Sequence, residues 1–150
     1  MKVTTNHLKN PATVLILLLI TMLYTTFAYS ENTTPSNIIV VANIADKNKV
    51  LTKQQIRHIY MGGALSRQFK PVNLQVGNPI RVDFNTHIVG LTESRIQAYW
   101  AQMKFTGRSK PPIEFSNIDA VMSYILAEEN AIAYVPADTK IPASLTVVKK

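Results

Sequence analysis

The stretch QVGNPIRVDF, Gln75 to Phe84, brings together residues that could hold an oxyanion. Asn78 can cap a helix and Pro79 fits the first turn behind it. The start of a helix presents free N–H groups and about half a positive charge, so it attracts anions without further chemistry. Arg81 would add a planar fork able to grip two oxygens of a phosphate or carboxylate. Gly77, Asn78 and Arg81 are therefore the candidate anion ligands. The competing reading is structural: Asn78 only caps the helix, and Arg81 pairs with Asp83 or with solvent.

A second basic stretch, KFTGRSKPP (Lys104 to Pro112), carries three cations and two hydroxyls without an acid. It follows a predicted helix C-terminus, whose dipole favours Lys and Arg as neighbours rather than bound anions. Gly107 suits a left-handed cap, and Pro111–Pro112 forbid further helix. The stretch reads as a turn, with Thr106 and Arg108 as the residues that could line a cleft. Catalysis finds no support. His58 and His87 fall inside predicted helices, with no Cys, His or carboxylate at metal-ligand spacing. Neither a nucleophile elbow nor a Gly-rich phosphate loop is present. No catalytic residue, cofactor or metal is expected.

These residues need a scaffold, and the pattern of apolar positions supplies one. IIVVAN (Ile38–Asn43) reads as a strand buried on both faces. Thr52 and Gln55 match a capping box, opening a helix that carries Ile56, Ile59 and Tyr60 and stops at Gly62–Gly63. VNLQV (Val72–Val76) alternates as a second strand. The helix behind Asn78 places Phe84 and Ile88 four apart and closes at Gly90. Thr92 can cap a third helix with Ile96, Tyr99, Trp100 and Met103 at helical spacing. Ser116 and Asp119 repeat the capping-box pattern before a helix holding Ile118, Val121, Met122 and Ile125. AIAYV (Ala131–Val135) and SLTVVK (Ser144–Lys149) close the chain as strands. The order β-α-β-α-α-α-β-β predicts a small mixed α/β sheet covered on both faces.

The chain has 150 residues and no Cys, so one domain is expected and disulfides are excluded. Lys2 and Lys9 precede the apolar run Ala12–Leu23, and Ala28 and Ser30 are small residues at a signal-peptidase site. Residues 1–30 are thus expected to be a secretory signal peptide, with an uncleaved anchor as the alternative, and 31–150 the folded domain in the periplasm or medium. Without Lys2 and Lys9, 14 of the 16 Lys and Arg face all 9 acids, leaving +5. Export makes nucleic acid a poor partner for that charge and a small anion or acidic surface a better one.

Three segments resemble a known family. IIVVANIAD…LTKQQIRHIYMGG looks like the strand, loop and helix of bacterial phosphate ABC transporter binding proteins. YWAQMKFTGRSKPP resembles a segment of their short exported relatives, and NAIAYV is similar to the late strand both groups carry. The resemblance implies a type II periplasmic-binding-protein fold, present as a single lobe where full-length members close two lobes on an oxyanion. It implies inorganic phosphate as ligand and a membrane transporter or receptor as partner. The retained helix start and the excess of cations favour an exported binding protein that takes phosphate for an ABC transporter, and this is the reading preferred from the sequence. Two departures favour the alternative, a lobe that takes no solute and serves as an interaction or sensory module. A single lobe should bind an ion more weakly or need a partner, and the family's Gly-Ser-Gly-Thr-like loop is replaced here by Gly77-Asn78-Pro79, which lacks the hydroxyls and one N–H donor.

Overall fold

The computed structural model describes residues 37–150, and the expected signal segment lies outside them. The described chain forms one five-stranded sheet with helices packed on it. Strand β1 (Ile38–Ala42) is followed by helix α1 (Lys53–Tyr60), a 3₁₀ turn (Ala64–Arg67) and β2 (Lys70–Leu74). Helix α2 (Pro79–Phe84) continues into one wide π turn, Asn85–Val89, before α3 (Glu93–Phe105). Then come β3 (Ile113–Phe115), α4 (Ile118–Ala127), β4 (Ala131–Pro136) and β5 (Thr146–Lys149).

The strand order is β3-β2-β4-β1-β5. β2 runs parallel to both β3 and β4, whereas β1 lies antiparallel between β4 and β5. The mixed sheet agrees with the expectation. β4 sits at the centre with every residue from Ala131 to Val135 buried, which explains its unbroken apolar run. Among the described residues the sheet spans residues 38–149 and the apolar core is built from residues 38–148, so this unit has a core of its own.

Most local expectations hold for visible reasons. The Thr52 hydroxyl accepts from the Gln55 amide at 3.2 Å, and the Gln55 side chain accepts from Thr52 N–H at 2.8 Å. Asn78 caps α2 through the Ile80 N–H at 2.9 Å. Three details differ. The cap of α4 is Asn117, whose side chain accepts from Ala120 N–H at 2.9 Å, rather than Ser116. Thr92 begins α3 without a side-chain cap, its hydroxyl lying 3.1 Å from that of Ser94. The strand β3 was not expected at all: it has three residues, too few for a period to register, and exists because Val72, Asn73 and Leu74 pair with Ile113, Glu114 and Phe115.

Gly62 ends α1 in a left-handed conformation at φ +71°. A Cβ there would lie 2.9 Å from Ser109 Oγ and 3.1 Å from Trp100 Cη2, so the end of α1 rests directly on α3 and the turn behind it. Gly62→Ala combines a strained backbone with that contact and should cost about 1–3 kcal/mol. A lowered urea midpoint at unchanged m-value is the expected readout.

Candidate functional site

The C-terminal ends of β2 and β3 meet the start of α2 and the start of α3, and Glu93, Glu114 and the Leu74 carbonyl converge there on Arg81. Its side chain is only 1% exposed. A buried guanidinium must have its N–H groups satisfied, and four of the five donors that the group carries find partners here. Nε and Nη2 donate to the two oxygens of Glu93 at 3.0 and 2.8 Å, a bidentate pair. Nη1 donates to the Leu74 carbonyl at 2.5 Å and to Glu114 Oε1 at 2.6 Å. Burial opposes the charge, but the hydrogen bonds that Arg81 donates to Glu114 and Glu93, with the attraction of both carboxylates, outweigh it and hold the Arg81 pKa above its ordinary value.

Glu93 is held as firmly as the arginine. Besides Arg81, its carboxylate accepts from Asn85 Nδ2 and from Gln97 Nε2, each at 2.7 Å. Local geometry delivers it. The π turn buries Asn85, Gly90 adopts φ +71°, and the Leu91 N–H returns to the Asn85 carbonyl at 3.1 Å. That reversal sets the first residue of α3 against α2. Glu114 arrives from the other side by the parallel register, which places it opposite Asn73; its side chain stays 39% exposed.

Beneath Arg81 an aromatic stack supports α2. Phe84 lies on Tyr134 with centroids 3.9 Å apart and planes 10° from parallel, and on Tyr60 at 4.6 Å. The Tyr134 hydroxyl donates to Asn73 Oδ1 and accepts from Leu74 N–H at 3.2 Å. The Tyr60 hydroxyl sits 3.1 Å from both the Val72 and Ile132 carbonyls. Burial raises the pKa of both phenols, so both remain neutral hydrogen-bonding groups. A pocket of 260 Å³ opens beside the corner, walled by Asn73, Arg81, Trp100, Lys104 and Glu114.

The structure separates the three candidate anion ligands. Asn78 caps α2. Gly77 stands open at φ +89°, with nothing within 4 Å of where a Cβ would lie. Arg81 turns inward. It pairs with Glu93 and Glu114, not with Asp83; Asp83 instead pairs with His87 Nδ1 at 2.5 Å, one helical turn on. That pair amends the reading that neither histidine has a carboxylate neighbour, although no group of three metal-ligating residues exists among the described residues. In the second basic stretch, the Thr106 hydroxyl bonds back to the carbonyls of Gln102 and Met103 at 3.0 and 3.2 Å. Arg108 lines a surface hollow with Lys104 and Lys110. Sequence reasoning missed Glu93, Glu114 and Asn85. Only Glu93 left a trace, as an acid in the first turn of a helix, where the dipole alone accounts for it.

No family model matches the chain, and no curated protein matches it significantly. Solved structures do. A protein of Clostridium perfringens, assigned as a phosphate ABC transporter substrate-binding protein and solved with bound phosphate, aligns over 75% of this chain and 44% of its own, with TM-score 0.54 and 22% identity. An ABC-type phosphate transport receptor from Vibrio cholerae aligns over 75% of this chain and 45% of its own, with TM-score 0.55 and 15% identity. The chain thus spans less than half the length of either solved protein, and its fold is similar to that of part of each.

Proposed function

We propose that this chain is a binding-protein-like lobe that carries no free phosphate through Arg81 and serves as an interaction module. The observation supporting this is the saturation of Arg81. One guanidinium faces two carboxylates, so the three side chains sum to −1, and the one arginine of the corner is already committed. A phosphate bound there would have to displace Glu93 from four N–H donors and would meet Glu114 as a like charge. The partner on this reading is a membrane-bound receptor or transporter component in the periplasm.

A second reading is favoured by the open flank of Gly77 and by the phosphate named for both solved neighbours. Phosphate would then rest on the Gly77–Asn78 turn, as the solute of an exported ABC-transporter binding protein. Calorimetry separates the two. Phosphate, sulfate and a sugar are expected to give no binding tighter than about 1 mM. Asn78→Asp keeps the helix cap but adds a negative charge at the turn. A phosphate Kd below that limit in the native protein, lost in Asn78→Asp, would restore the solute role.

A further inference from the structure

From Ser94 to Ile113 the chain has no acid, yet it carries Arg95, Lys104, Arg108 and Lys110. Lys104, Arg108 and Lys110 line one hollow at the end of α3, and among the described residues none of the three has a salt-bridge partner. Phe105, at the same helix end, is 94% exposed, more than any other large apolar side chain described. An aromatic ring fully in water beside three unpaired cations stabilises nothing in the fold.

The turn is nonetheless firmly built. Thr106 N–H donates to Gln102 O at 3.0 Å, Gly107 N–H to Lys104 O at 3.2 Å and Arg108 N–H to Met103 O at 3.1 Å. Gly107 takes the left-handed conformation at φ +66°, the usual way for a helix to end. Ser109 packs against the end of α1 at Gly62, and Pro112 is buried. The three cations outweigh the partial negative charge of the helix end. They are therefore presented on a fixed support.

We propose that the Lys104–Lys110 turn is a docking surface for an anionic phospholipid membrane. Charge complementarity selects an anionic partner, and the ring narrows the choice. Protein hot spots lie in well-packed pockets ringed by shielding contacts, whereas Phe105 stands 94% exposed beside the cations. Aromatic rings flanked by Lys and Arg suit the headgroup boundary of a bilayer, where the ring inserts and the cations meet lipid phosphates. Docking here does not use Gly77, although Lys104 also walls the pocket beside Arg81.

The test is co-sedimentation of the chain from Glu31 onward with vesicles of phosphatidylglycerol and phosphatidylethanolamine, against phosphatidylcholine alone. The protein is expected to sediment with the anionic vesicles, less so as salt rises. The triple variant Lys104→Ser, Arg108→Ser, Lys110→Ser should lower the partition coefficient roughly a hundredfold, each cation being worth about fivefold at such a surface. Phe105→Ser should weaken it several-fold. All four positions are exposed, and an unchanged circular dichroism spectrum would verify the fold. Equal binding to both vesicle types, equal binding of native protein and triple variant, or unchanged binding of Phe105→Ser would each overturn the proposal. So would failure to sediment with the anionic vesicles in a protein that nonetheless binds polyglutamate, which would indicate an acidic protein as partner. The calorimetric result with inorganic phosphate is read separately.

Discussion

Arg81→Ala should destabilise the protein by about 3–5 kcal/mol, the cost of breaking a buried ion pair by removing one partner. The loss follows from what stays behind. Glu93 and Glu114 would face each other across an empty site, and the Leu74 carbonyl would lose its donor. Asn85 and Gln97 would still hold the Glu93 carboxylate in place, so it could not simply swing into water. Domains of this size have only about 5–15 kcal/mol in total, and a midpoint drop above roughly 10 °C is expected in thermal denaturation. Arg81→Met with Glu93→Gln and Glu114→Gln should recover much of that loss, because removing a buried ionic network whole costs far less than orphaning its charges. If Arg81→Ala instead melted within a degree or two of the native protein, the guanidinium would have to be free in solvent, and the anion-ligand role would regain its strongest residue.

Phe84→Ala is expected to cost about 3–5 kcal/mol by opening a cavity in the core. Phe84 is fully buried and bridges α2 to two tyrosines whose hydroxyls bind β2 and β4. The stack adds about 1 kcal/mol beyond burial, as aromatic pairs commonly do. Because Phe84 lies one turn beyond Arg81 on the same short helix, its loss should also loosen the Arg81–Glu93 pair. Chemical denaturation would report the stability change. Amide hydrogen exchange in Asn85–Leu91 should quicken along with it, and protection unchanged there would indicate that the ion pair holds α2 without the stack.

What the sequence determined by itself is the framework of elements. A β-branched run marked β1 and an apolar run marked β4, capping residues marked the start of α1 and α2, and Gly62, Gly90 and Gly107 marked where helices stop, because each of these signals acts between residues a few positions apart. The resemblance to phosphate-binding proteins rests on the same local segments, and the solved neighbours share that fold. Only the tertiary structure decided the state of Arg81. Its partners lie 12 and 33 residues away, one delivered by a π turn and a left-handed glycine, the other by a three-residue strand paired in parallel register. A short strand has no period to read, and an acid on a helix start has a sufficient local explanation, so neither announces a distant guanidinium. Burial then sets the chemistry: the same arginine that would grip an anion at the surface must, once enclosed, be neutralised by carboxylates from its own chain.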